Sequence, residues 1–101
     1  MSETSYCLTM ILAPTLEEQV LDLLLTAPET SAFTSTSVFG HGANPGDLNT
    51  AEQVLGRTRQ VQVQLILSRQ DADALLARLR QQLPGIGIPF WLSPVLERGM
   101  I

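Results

Sequence analysis

The apolar residues of the chain follow two different periods, and the segments with each period alternate. Strand-type patterns occupy residues 6–12, 33–39, 61–67 and 88–92. Between the first and second of these, and between the third and fourth, apolar residues recur every three or four positions, which places them on one stripe of a helix. The pattern predicts the order strand, helix, strand, long loop, strand, helix, strand.

Both predicted helices carry start signals and one apolar stripe. Thr15 and Glu18 stand at the spacing of a capping box, and Ser68 and Asp71 open the second helix in the same way. The two stripes are Leu16, Val20, Leu23 and Leu24, and Ala72, Leu75, Leu76, Leu79 and Leu83. The prolines that stop the helices are Pro28 and Pro84.

Two strand–helix–strand halves joined by right-handed crossovers predict one antiparallel sheet with both helices on the same face. This is the α+β, ferredoxin-like βαββαβ plan. The 101 residues are expected to form a single domain, which is long enough to fold around its own core. Residues 41–58 form a loop far longer than that of an ordinary hairpin, and such loops are usually functional or disordered. We expect residues 42–57 to be mobile without a ligand or partner, although residues 50–53 carry signals for one helical turn.

The sheet face away from the helices is predicted to be an oligomer interface. Phe90 and Trp91 are neighbours on a strand and therefore point to opposite faces. If Phe90 joins the helices, Trp91 lies on the open face. The other residues expected on that face are Cys7, Thr9, Ile11, Gln62, Gln64 and Ile66. A tryptophan surrounded by glutamines favours a protein contact, with Trp91, Gln62, Gln64 and Ile66 at its centre.

Candidate binding groups cluster around the long loop. Backbone amides of Gly40, His41 and Gly42 could surround an anion, or the glycines could serve only to turn the chain. Gly85 and Gly87 form a weaker candidate, since they follow a helix as an ordinary stop. The arginines that would bind an anion together, if they share one cleft, are Arg57, Arg59 and Arg98; otherwise they are surface charge.

A metal site is an alternative use of the same loop. His41 is the only histidine, and a metal usually needs three or four ligands. Three symmetry-related copies could supply them, with oxygens from Asp47 or Glu52, or His41 could simply face solvent. A nucleophilic pair of Cys7 and His41 is disfavoured, because Cys7 lies in mid-strand and no third orienting group is evident. The chain is therefore not expected to be an enzyme.

Composition excludes several functions. The net charge is −4, and all six basic residues are arginines, so neither nucleic acid nor an anionic membrane is an expected partner. No apolar stretch approaches the roughly 20 residues of a membrane helix, so direct membrane insertion is not expected. No secretory signal is visible, and the single cysteine forms no intramolecular disulfide. Together these features predict a cytoplasmic protein.

Three segments together resemble the PII signal-protein family, and more closely its small PII-like branch. Residues 33–42 match the second strand of that family, residues 51–67 match its return strand, and residues 90–95, Phe-Trp-Leu-Ser-Pro-Val, match its closing strand. The resemblance covers nearly the whole chain. It implies a ferredoxin-like fold, a homotrimer, and a long T-loop that contacts a partner protein and changes with ligand. Relatives of this branch often occur beside heavy-metal efflux transporters.

The sequence also departs from that family. The glycine-rich B-loop, with which PII proteins bind ATP or ADP between subunits, corresponds to residues 83–89 and lacks lysine and aspartate. Gln60 replaces the basic residue before the return strand, Leu48 stands where some members modify a tyrosine, and residues 43–44 replace basic residues. These departures argue against a site for ATP with 2-oxoglutarate, and the cofactor is left open.

Two functions are therefore predicted as competitors. The first is a non-enzymatic, trimeric regulatory protein that senses a small effector and docks through its loop on a partner, such as a membrane transporter for heavy metals. The second is a metal-ion carrier or sensor that uses His41 and loop carboxylates. The sequence identifies neither the effector nor the partner protein.

Overall fold

The computed structural model describes residues 4–42 and 57–101. In these residues the secondary structure follows the predicted order. The elements are β1 (Ser5–Leu12), α1 (Glu17–Thr26), β2 (Phe33–His41), β3 (Arg57–Ser68), α2 (Arg69–Gln82) and β4 (Phe90–Val95).

The four strands form one sheet in the order β2-β3-β1-β4, and every neighbouring pair is antiparallel. The two central strands, β1 and β3, pair from Ser5 with Ser68 to Leu12 with Val61. Both helices pack on the same face, because their buried stripes join one cluster with the alternate residues of β1 and β3. The predicted ferredoxin-like fold is confirmed.

The core is built from the alternation in the two central strands. Leu8, Leu12 and Val63 are completely buried between the sheet and the helices. Burying a side chain of this size contributes about 1.5–3 kcal/mol. From the helices, the buried members of the predicted stripes are Val20, Leu23, Leu24, Ala72, Leu75, Leu79 and Leu83.

The two helices start differently. The Ser68 side chain accepts a hydrogen bond of 3.1 Å from the backbone N–H of Asp71, which confirms the predicted cap of α2. The capping box predicted at Thr15 and Glu18 is wrong, because no side chain caps the start of α1. A 3₁₀ turn over Pro14–Leu16 leads into that helix instead, since proline suits the first position of a helical turn.

Within the described ranges, no helix is long and apolar enough to cross a membrane.

The ends of three strands differ from the sequence prediction, β4 at both of its ends. β2 continues beyond residue 39 to His41, and β3 begins at Arg57, four residues before its apolar alternation. β4 was predicted over residues 88–92 but spans Phe90–Val95. Pro94 is tolerated there because β4 is an edge strand, where a missing backbone N–H need not break a ladder hydrogen bond.

A bidentate ion pair joins α2 to the connection between α1 and β2. The Arg78 guanidinium donates hydrogen bonds of 2.8 and 3.2 Å to the two carboxylate oxygens of Glu29. These hydrogen bonds, more than any other interaction, lower the pKa of Glu29 below its ordinary value. Because the Glu29 side chain is only 13% exposed, solvent screens this pair less than a surface pair.

We predict that this pair makes the stability of the fold depend on pH. A lowered folded-state pKa means that the contribution of Glu29 is present above the ordinary carboxyl pKa and is lost as pH falls through the folded value. Wild type should therefore be more stable than Glu29→Gln near neutral pH, and the difference should shrink on acidification. Urea unfolding at about pH 6 and about pH 3 would measure it.

Asp73→Asn is the matched control, since Asp73 pairs with Arg69 at 3.2 Å on the exposed face of α2. Such a pair contributes about 0.5 kcal/mol or less. An unfolding difference between wild type and Glu29→Gln that stays the same at both pH values would contradict the prediction.

Candidate functional site

A two-stranded ribbon projects from the sheet at the ends of the long loop. β1 ends at Leu12, which pairs with Val61. From that point on, β3 has only β2 as a neighbour. Beyond it, residues 38–41 of β2 and 57–60 of β3 pair only with each other. We call these eight residues the ribbon. It holds the two ends of the long loop at one end of the sheet.

The side of the ribbon that continues the helix-covered face is cationic. Its residues are Phe39, His41, Arg57 and Arg59. The Arg57 guanidinium carbon lies 4.1 Å from the centroid of the Phe39 ring, which is a cation–π contact. The Nε atom of Arg57 is buried, and no described residue forms a hydrogen bond with it. In a chain of net charge −4, this surface is a local concentration of positive charge.

The opposite side of the ribbon depends on a glycine. A Cβ atom at Gly40 would overlap Oε1 of Gln60 and lie 2.9 Å from its Cδ. The Gln60 side chain therefore crosses the backbone of β2 through the space that Gly40 leaves. This explains why the strand passes through Gly40 instead of ending there. Gly42 follows the ribbon and is exposed.

Gly85 and Gly87 form a separate loop between α2 and β4. Both have positive φ, 73° and 76°, a conformation that side chains other than glycine rarely adopt. The backbone N–H of Ile11 donates to the carbonyl of Pro89, so this loop lies at the same end of the sheet as the ribbon. It lies at the β4 edge, however, while the ribbon lies at the β2 edge. A cavity of about 220 Å³ opens beneath the loop.

The open face of the sheet carries the residues that the sequence predicts there. The register places Trp91 and Gln64 on either side of Thr9, Ile66 beside Cys7, and Gln62 beside Ile11. Thr9 is only 1% exposed and accepts a hydrogen bond of 3.2 Å from the Gln64 amide. Trp91, by contrast, is half exposed. The open face thus has a buried centre at Thr9 and a half-exposed tryptophan beside it.

Arg98 does not join the other two candidate arginines within one chain. It lines a cleft of about 350 Å³ together with Cys7, Thr34 and Ile66. That cleft lies where β2 begins, whereas the ribbon lies where β2 ends. The structure therefore does not form the single three-arginine cleft from one copy of the chain.

The predicted metal ligands are only partly within the described residues. His41 lies at the end of the ribbon and is exposed, while Asp47 and Glu52 lie outside the described residues. In residues 4–42 and 57–101, no three His, Cys, Asp or Glu side chains form a group that could hold a metal ion. Cys7 pairs with Ile66 and His41 with Arg57, so the two are on the order of 30 Å apart along the sheet.

Sequence reasoning missed three residues of these sites. The sequence pattern marks Phe39 only as the end of a strand and Gln60 only as a departure from the family. It gives no role to Arg80, which lines the cavity beneath the loop of Gly85 and Gly87. The contacts of Phe39 and Gln60 follow from the pairing of the ribbon. Arg80 has a weak sequence signal, since it is the one basic residue in the last turn of α2.

Comparison with known proteins adds a family and a fold. The profile of a family described as "Protein of unknown function (DUF3240)" matches residues 1–101. The comparison with curated proteins found no match.

Three solved structures illustrate the fold. A DUF3240 family protein from Shewanella baltica is 18% identical, with a TM-score of 0.77 over 100% of this chain and 99% of the other. CPII, a nitrogen regulatory PII-like protein from Thiomonas intermedia bound to ADP, AMP and bicarbonate, is 15% identical, with a TM-score of 0.68 over 96% and 97%. Bacillus subtilis GlnK with ATP is 14% identical, with a TM-score of 0.66 over 94% and 84%. At these identities the likeness establishes the fold, which is that of PII-like signalling proteins.

We predict that Gly40 and Gln60 are energetically coupled. Gly40→Ala should destabilise the protein by about 0.5 kcal/mol or less, because the added methyl group displaces only the flexible end of the Gln60 side chain. In a Gln60→Ala background the same substitution should cost nothing measurable. A double-mutant cycle by urea unfolding would give the coupling energy. An equal cost in both backgrounds would show that the two side chains do not interact.

Proposed function

The chain belongs to the DUF3240 family, and from this membership and its PII-like fold we propose that it is a regulatory protein and not an enzyme. In this proposal it works in the cytoplasm as a homotrimer. A small anionic effector binds at the ribbon, and the long loop that the ribbon carries docks on a partner protein. A transporter in a membrane, such as a heavy-metal efflux system, is the class of partner that the family resemblance suggests.

One observation carries the effector site: the buried Nε of Arg57, which forms no hydrogen bond with the described residues. Leaving a buried donor unsatisfied costs about 1–3 kcal/mol, so a group in this state favours a ligand that can accept its hydrogen bond. The Phe39 ring holds the guanidinium in place through the cation–π contact. An anion bound there would therefore meet an arginine that is already oriented.

The rest of the ribbon supplies the expected surroundings of an anion. Arg59 and His41 lie on the same side as Arg57. Gly42 follows the ribbon and is exposed, so no side chain covers its backbone. In this proposal Arg57 and Arg59 take the role of the lysine of the PII B-loop, which the loop of Gly85 and Gly87 lacks.

A trimer would bring the two candidate loops together. Within one chain, the ribbon and the glycine loop lie at the same end of the sheet, with β1 between the ribbon strand β3 and β4. Two strand spacings, from β3 to β4, amount to about 10 Å, too far for one small anion to bridge. In a ring of copies the ribbon of one chain can face the glycine loop of the next. The open face, with the half-exposed Trp91, is the surface that would be buried on assembly.

We predict a mass in solution of about three times 11.0 kDa. Trp91→Glu should lower that mass, because it places an unpaired charge in the proposed interface. Leu25→Glu is the matched control, since Leu25 is 71% exposed on α1, on the other side of the sheet, and its substitution should leave the mass unchanged. Light scattering at micromolar concentration would decide. A monomeric wild type would refute the assembly.

We also predict that anions stabilise the protein through Arg57. A ligand at 100 times its dissociation constant adds about 2.7 kcal/mol, which raises the melting temperature of a domain this size by several degrees. The test is a thermal-shift panel of ATP, ADP, AMP, bicarbonate and phosphate. The nucleotides and bicarbonate are those bound to the PII-like structures described above. The shift should be lost in Arg57→Gln.

Arg69→Gln is the control for this panel, because Arg69 is exposed at the start of α2 and should not contact the effector. Equal shifts in Arg57→Gln and wild type would overturn the proposed site. Adding Zn²⁺, Cu²⁺, Co²⁺ and Ni²⁺ tests the metal-binding alternative in the same experiment. A metal shift that is lost in His41→Ala would favour that alternative.

A further inference from the structure

An apolar cavity with one arginine at its mouth lies beneath the loop of Gly85 and Gly87. Its apolar lining includes Leu79 of α2, Leu83 directly after that helix, Met10 of β1, Ile88 and Phe90. Arg80 lies at the opening, with its guanidinium carbon 5.7 Å from the centroid of the Phe90 ring. The volume is about 220 Å³.

Two of the loop residues that line the cavity, Gly85 and Gly87, contribute no side chain to it. A Cβ atom at Gly85 or Gly87 would meet nothing within 4 Å. Their positive φ values disfavour residues with a side chain at both positions. Phe90 and Ile86 remain 41% and 45% exposed at the rim. Exposed apolar groups around a concave, apolar surface are typical of a binding site for a small molecule.

Arg80 gives the cavity its chemical preference. In the described part of the chain the ion pairs are Arg69 with Asp73 and Arg78 with Glu29, and none involves Arg80. Arg80 lies in the last turn of α2, where the helix dipole favours a positive charge. The hydrogen-bond donors of its guanidinium remain available. A guanidinium binds a carboxylate through two parallel hydrogen bonds. The cavity therefore offers a single positive charge beside an apolar volume.

We propose that this cavity binds a small monocarboxylate with a compact apolar body, such as an aromatic ring. Size supports a ring, since a cavity of about 150 Å³ lined by Leu, Ile and Phe holds benzene. The additional volume and the open mouth leave space for a carboxylate facing Arg80. A phosphate or dicarboxylate is a poorer match, because its second charge would lie against apolar walls without a partner. Within one chain the site lies apart from the ribbon, and the proposal does not rest on the proposed function.

Benzoate, its neutral isostere benzamide, and amide NMR spectra of the full chain test the proposal. Benzoate should shift the amide signals of residues 79–90 in a saturable way, and by more than it shifts those of residues 38–41. Benzamide should bind about tenfold more weakly, because it loses the charge-assisted hydrogen bonds. Arg80→Gln should weaken benzoate binding by a similar factor and leave benzamide binding unaffected.

Arg69→Gln on the same helix is the control and should bind benzoate like wild type. Both arginines are exposed, so neither substitution should prevent folding. Three results would each overturn the proposal. These are no saturable shift with benzoate, equal affinity for benzamide, or unchanged affinity in Arg80→Gln. A shift confined to the ribbon would also refute it, and would assign the anion to Arg57 instead.

Discussion

The antiparallel pairing of β1 with β3 is the constraint on which the other features of the molecule depend. Its register places Leu8, Leu12 and Val63 under the helices, and by the same alternation it places Thr9, Gln64 and the cysteine on the other face. A shift of one residue would exchange these two sets, so the hydrophobic core fixes the register. The unequal lengths of the two strands then produce the ribbon, because β3 begins four residues before β1 can pair with it.

Much of this architecture can be predicted from the sequence, because alternation and helical stripes report which side chains leave water. The opposite placement of Phe90 and Trp91 followed from that rule alone and is confirmed by the register. The ribbon could not be predicted in the same way. Residues 57–60 are Arg-Thr-Arg-Gln, which carry no apolar alternation, and they form a strand because their backbone pairs with β2. From the sequence alone, Gly40 indicates the end of a strand. Only the structure shows that the Gln60 side chain occupies the space beside it.

The candidate sites differ in how much of each can be predicted from the sequence. The arginines near the long loop stand out by composition, yet only the fold separates Arg98 from Arg57 and Arg59. The cavity at Arg80 is formed by two glycines, a helix end and two strands, and these elements are distant from one another in sequence. No local sequence motif therefore indicates it. At 14–18% identity, the similarity to the solved structures shows the arrangement of strands and helices and not which groups bind ligands.

β2 is an edge strand of nine residues, and neither proline nor lysine interrupts it. Edges of this kind are templates for intermolecular β-pairing, and many proteins protect them with such residues. The other edge, β4, is shorter and carries Pro94. Of the two edges, β2 therefore offers the longer uninterrupted template on which a strand from another molecule could pair.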